Sequence, residues 1–228
     1  MTFDYTYILV IIGAVISMIA SWNVQRTFKN YSSMGNSQGF TSQDIAQRIL
    51  TSAGIDDVRI ERIKGDLTDH YSPTEKVLRL SDSVYGQTSV AALGVAAHEC
   101  GHAIQHKIGY TPLKLRSISV PVANFGSKLS IPLIIIGIGM SWAGLAQLGV
   151  FLFTFVVFFQ LITLPVEFNA SSRALEILEK DSILAGGELQ AAKKVLSAAA
   201  LTYVAALVST ILQLIRLIMI AKGSSRRR

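Results

Sequence analysis

From Leu129 to Val166 the chain runs for 38 residues without a charged side chain, LSIPLIIIGIGMSWAGLAQLGVFLFTFVVFFQLITLPV. At about 1.5 Å per residue, one helix of this length overshoots a hydrocarbon core of about 30 Å. The stretch is therefore expected to cross a membrane twice, as a hairpin. The Gly-rich, weakly polar SWAGLAQLG is the expected turn, leaving arms of about Val120–Met140 and Gln147–Leu164.

Two more apolar runs flank this hairpin. Tyr5–Trp22 is uncharged and long enough to span. Met1–Tyr7 carries no lysine or arginine, and no small-residue cleavage site follows the run, so a retained anchor is expected rather than a cleaved signal peptide. Ala198–Ile220 is interrupted by Gln213 and Arg216. An arginine near one end of a span can snorkel to the interface, so this run is expected to be a fourth crossing. Composition agrees: half of the residues are hydrophobic and only 16% are charged. The net charge of +6 is spread over the polar segments and gathered in Arg226–Arg228, the pattern of basic membrane flanks. No nucleic-acid partner is expected.

What remains polar is Asn23 to about Ser119 and Glu167–Ser197. A hairpin that crosses twice brings both out on one side, where they can build a single site. The expected organisation is an anchor at 1–22, a polar catalytic segment at 23–119, a transmembrane hairpin at 120–166, a helix at 167–197, and a last span with a basic tail at 198–228. Arg26, Lys29, Lys107, Lys114, Arg116 and Lys128 flank the spans, while the N-terminus and the hairpin turn carry no lysine or arginine. The positive-inside rule then places both polar segments in the cytoplasm. The tail conflicts with this, because four full spans send Lys222 and Arg226–Arg228 outside. Either the fourth run does not cross or the other loops overrule the tail.

Within the first polar segment, FTSQDIAQRILTSAGI reads as a short amphipathic helix. Thr41 or Ser42 caps it, Ile45, Ile49 and Leu50 face inward, and Gly54 ends it. Asp57–Ile63 alternates like a half-buried strand, GDLTDHYSPTEK turns the chain, and Val77–Leu80 gives a second strand. A helix from about Thr88 to Lys107 follows. Its first half is nearly all alanine, valine and leucine, and it ends in HECGHAIQHK. Unpaired polar groups on a buried helix are costly, so these call for a chemical explanation.

His98 and His102 stand four apart, about 40° from each other on one helix face. Two imidazoles at that spacing can direct nitrogens to one zinc ion at about 2.1 Å. Glu99 lies about 100° around the helix, away from the metal but within reach of a water that the metal activates. That geometry is the reason for an H-E-x-x-H pattern, here HECGH. His106 is about 12 Å along the axis from His98, too far to share the ion. It is expected as a polar residue near the helix end, where partial positive charge is favoured. Cys100 points about 200° away from His98 and reads as a small buried apolar residue. Catalytic zinc usually has three protein ligands. Candidates for the third are Glu167, Glu176, Glu179 and His70, and Glu167 is preferred because it follows the third span on a rigid element. The alternative for Glu167 is an ordinary interfacial glutamate.

HECGHAIQ, the upstream DHYSP…VLRLS and the VEFNASSRAL that follows the hairpin together resemble the bacterial membrane zinc metallopeptidases of the YugP-like kind. The resemblance runs over nearly the whole chain. More distantly it extends to the HtpX and CAAX-prenyl-protease type of membrane gluzincins. The resemblance implies a mainly α membrane protein with about four transmembrane helices and a small α+β zincin-like catalytic domain. It also implies one catalytic Zn2+ held by His98, His102 and Glu167, with Glu99 as general base. Where the distant relatives carry an aspartate four residues after the ligand glutamate, this chain has Ser171. Such an aspartate orients a ligand histidine; a serine accepts a hydrogen bond without adding charge. Val77–Leu80 is a candidate edge strand for an extended peptide.

The expected function is a membrane-integrated zinc endopeptidase acting on peptides or membrane proteins in quality control, in a bacterial cell membrane and in contact with the lipid bilayer. The alternative is a non-catalytic membrane protein with a structural zinc site or a scaffold role, for which Glu99 has no use. A metal transporter needs ionisable groups inside its spans, and the hairpin has none.

Overall fold

The computed structural model describes residues 5–225. The expected basic tail, Arg226–Arg228, and the first four residues of the expected anchor lie outside them. The described residues form α1 (Tyr7–Tyr31), α2 (Ser42–Ser52), β1 (Arg59–Ile63), β2 (His70–Ser72), β3 (Val77–Ser81), α3 (Val90–Lys107), α4 (Thr111–Gly139), α5 (Ala143–Lys180) and α6 (Gly186–Ser225). The protein is mainly helical, and α1, α4, α5 and α6 are each long and apolar enough to cross a membrane. The described residues divide into two compact units, one within 5–21, 114–164 and 201–225, the other of residues 22–113 and 165–200.

In the first unit the hairpin turn is much tighter than the sequence suggests. α4 ends at Gly139 and α5 begins at Ala143. The turn is closed by the Trp142 amide donating to the Gly137 carbonyl at 2.7 Å, with Ser141 in the left-handed region at φ 53°. Gly149, the last residue of the stretch expected to turn, serves helix packing instead. A Cβ on Gly149 would meet the Ser130 carbonyl oxygen at 2.5 Å, and one on Gly126 would meet that of Leu152 at 2.5 Å. Small residues let membrane helices approach this closely.

The second unit holds an apolar core built from α2, α3, β3 and parts of α1, α5 and α6. α2 forms where expected because Thr41 and Asp44 make a reciprocal capping box, each side chain satisfying the other's backbone N–H. Its Ile45, Ile49 and Leu50 are buried, each worth about 1.5–3 kcal/mol on removal from water. Gly54, at φ +67°, supplies the left-handed turn after it. α3 starts at a Ser89 cap that accepts from the Ala92 amide, and its alanine-rich half is buried except for the partly buried Val95. Asn36 secures this start, donating from Nδ2 to the Thr88 carbonyl at 2.6 Å and to that of Phe40 at 2.9 Å.

The sheet has the order β1-β3-β2, with β1 parallel and β2 antiparallel to β3. This corrects two expectations. Val77–Leu80 lies in the central strand, paired with β1 along its length and with β2 from Val77 to Arg79, so it is not an edge open to an added peptide. The stretch read as a plain turn contains a third strand, β2, which pairs His70 with Arg79 and Ser72 with Val77. A three-residue strand is too short to show a two-residue period.

Candidate metal centre

α3 and α5 together make the site. Their backbones touch at Gly101, where a Cβ would lie 2.7 Å from the Ala170 carbonyl oxygen and 3.1 Å from its Cα. Only glycine permits that approach. It brings Glu167, one turn before Ala170 on α5, to the face of α3 that carries His98 and His102.

Among the described residues, His98, His102 and Glu167 form a group in which one ligand atom from each lies within 4.8 Å of the others. Glu167 Oε2 is 3.3 Å from His98 Nε2 and 3.5 Å from His102 Nε2. The Glu167 side chain is only 3% exposed, and the imidazoles 13% and 12%. The rings stand edge to face with centroids 4.8 Å apart. Both Nδ1 atoms point away from this centre: His98 Nδ1 is 3.0 Å from Ser171 Oγ, and His102 Nδ1 is 3.0 Å from Gln105 Oε1. A ring whose Nδ1 carries its proton presents a lone pair at Nε2. Two such nitrogens facing a carboxylate oxygen repel one another unless a cation lies between them. Two imidazoles and one carboxylate are also the donor set of many catalytic zinc sites. The residues therefore fit a zinc ion.

Electrostatics agree with the donor set. Burial works against a charge on His102, yet the Glu167 carboxylate beside it, the charge of Glu99 and the Gln105 side chain together outweigh that and shift its pKa upward. A field that favours a proton there favours a metal cation as well. Glu99 is buried, at 8% exposed, and does not belong to the converging group. Its charge also reaches Asp69, just before β2. Burial pushes the Asp69 carboxyl up, against the hydrogen bonds it accepts from the Ser81 amide and hydroxyl at 2.7 and 2.8 Å, and Glu99 adds to the rise.

The other sequence candidates lie elsewhere. His70 Nδ1 is 2.9 Å from the Thr68 carbonyl. Glu176 and Glu179 are exposed on α5. His106 is exposed, and its Nδ1 meets the Tyr71 hydroxyl at 2.9 Å. Cys100 is fully buried with its Sγ 3.6 Å from the Ala46 carbonyl, on the α2 side of α3. Sequence reasoning named Ser171 as a departure from a family pattern, and it indeed sits on His98. It missed Gln105, fully buried beside His102. Its signal was a polar residue three positions after a candidate ligand histidine on the same helix face.

Residues 6–222 match a family described as "Putative neutral zinc metallopeptidase". The chain is 46% identical over 215 residues to a Bacillus subtilis (strain 168) protein named "Putative membrane protease YugP", covering 94% of this chain and 96% of that one. No solved structure matches. A family match that leaves out only the two ends of the chain shows that this membrane protein belongs to that zinc metallopeptidase family.

Proposed function

We propose that the protein is a membrane-integrated zinc endopeptidase of gluzincin type, with His98, His102 and Glu167 as the ligands of one catalytic ion and Glu99 as general base. The observation that carries the reading is the convergence of two imidazole nitrogens and a buried carboxylate beside a second buried carboxylate that is not a ligand. Structural zinc sites usually have four protein ligands and no such neighbour, whereas catalytic sites keep three and an open position.

A zinc ion held there supplies an electrophile that acidifies water and polarises a peptide carbonyl. Glu99, next to His98 on α3, accepts the proton of the attacking water and passes it to the leaving amine. Its burial removes competing solvent and strengthens its interaction with that proton. The bond broken is the peptide C–N, and the bond formed joins the water oxygen to the carbonyl carbon. In this reading residues 23–119 and 167–197 perform the chemistry, while 1–22, 120–166 and 198–228 hold them in the bilayer. The basic residues around the spans support a cytoplasmic site, and membrane-protein quality control is the role proposed for a peptidase held in the bilayer.

The test is purified Glu99→Gln. It is expected to keep its zinc and to lose about 10²–10⁴-fold in cleavage of casein or a membrane-protein substrate. Cleavage at the wild-type rate would remove Glu99 from the chemistry and with it the hydrolase reading.

A further inference from the structure

Hydrogen bonds around Gln105 determine where the proton of His102 sits. An arginine guanidinium can only donate, and a backbone carbonyl can only accept. Arg173 Nε donates to Asn169 Oδ1 at 2.8 Å, which fixes that atom as the amide oxygen. Gln105 Nε2 then donates both to Asn169 Oδ1, at 3.0 Å, and to the Val166 carbonyl, at 2.8 Å. Turning the Gln105 amide over would set its oxygen against two acceptors in a fully buried position, which is costly. Gln105 Oε1 therefore faces His102 Nδ1 and has no proton to give. The ring supplies it at Nδ1, against the pull of the Glu167 carboxylate 3.5 Å from Nε2. His98 is held differently, because the Ser171 hydroxyl rotates and can donate or accept.

We infer that Gln105 is a positioning residue: it holds neutral His102 as the Nδ1–H tautomer, with the Nε2 lone pair presented to the metal position before any metal arrives, whereas His98 is left open to either tautomer. The two ligand histidines are thus unequal. His102 is preset through a relay that begins at Arg173 and the Val166 carbonyl, and His98 takes its tautomer when the cation binds. The inference rests on the reading of His98, His102 and Glu167 as the metal site.

The test uses full-length, metal-free protein in detergent with ¹⁵N-labelled histidine, at alkaline pH where the imidazoles are neutral. With four histidines in the chain, His70→Gln and His106→Gln simplify the assignment. In two-bond ¹⁵N–¹H correlations, wild-type His102 is expected to give the pure Nδ1–H pattern. Gln105→Met is expected to give a mixture and to weaken zinc binding, measured by chelator competition, about 10–100-fold. Ser171→Ala is expected to leave the His102 pattern unchanged. A mixed or Nε2–H pattern in the wild type overturns the inference, and this result needs no substitution to fold. So does a pure Nδ1–H pattern in Gln105→Met, or a mixture with undiminished zinc affinity. A wild type that takes up no zinc sinks the metal-site reading instead, and leaves the metal-free tautomer result to stand by itself.

Discussion

Gly101 of α3 and Ala170 of α5 are in backbone contact, and no side chain of any size fits between them. Alanine at 101 gains about 1 kcal/mol of helix propensity but drives a methyl into a carbonyl that cannot swing aside, and such overpacking costs about 1–3 kcal/mol. The clash wins. Because Glu167 is three residues from Ala170, the separation also moves a proposed ligand. Gly101→Ala is expected to melt at lower temperature and to bind zinc more weakly. Wild-type zinc content per chain would show that this contact does not set the site.

Glu167 is buried between the histidines, whereas Glu176 and Glu179 lie exposed further along the same helix. Glu167→Ala is expected to lose most bound zinc, while Glu176→Gln and Glu179→Gln keep it, as read by metal analysis after dialysis. A chelator should abolish cleavage in the wild type, and added zinc should restore it. Full zinc content in Glu167→Ala would remove it as a ligand.

Asp69 provides a pH test. Burial raises its carboxyl pKa in the fold, so the folded chain holds this proton more tightly than the unfolded one. Its contribution to stability is full below the ordinary aspartate value of 3.8 and is lost as pH rises through the raised one. An asparagine side chain in its place cannot titrate. The melting temperature of Asp69→Asn relative to wild type is therefore expected to improve as pH climbs through that window, then level off. A difference that is flat across the whole range would mean that the carboxyl is not perturbed.

Cys100 has no exposed surface, and burial pushes its thiol pKa up, so little thiolate is available. A maleimide is expected to leave the native protein unlabelled and to label it fully in denaturant. Rapid native labelling, followed by mass spectrometry, would contradict the packing of α3 on α2.

How much was legible in the sequence follows from what each feature depends on. α2 was readable because its cap, its apolar face and its glycine stop are all local. The four apolar spans were readable because bilayer thickness sets the length of their apolar runs, although α5 and α6 continue beyond those runs to 38 and 40 residues. β2 was hidden because three residues carry no period, and the centrality of Val77–Leu80 was hidden because strand order depends on a neighbour that was missed. Gly149 suggested a turn because glycine signals turns and close packing alike. At the site, four-residue spacing was enough to put His98 and His102 on one face. The roles of Gly101 and Gln105 exist only once α5 lies against α3, so one helix's sequence could not reveal them.

The α5 groups in polar contact with the two histidines or with Gln105 come from the short run Val166–Ser171: a carbonyl at 166, a carboxylate at 167, an amide at 169 and a hydroxyl at 171. Inserting a single residue upstream of this run while α5 stays anchored would rotate all of them together by about 100°. Angular phase is thus the quantity this site must preserve. Connections that keep the phase of α3 and α5 can vary in length, whereas a slip of one position displaces the proposed ligand and the α5 groups that meet His98 and Gln105 in a single step.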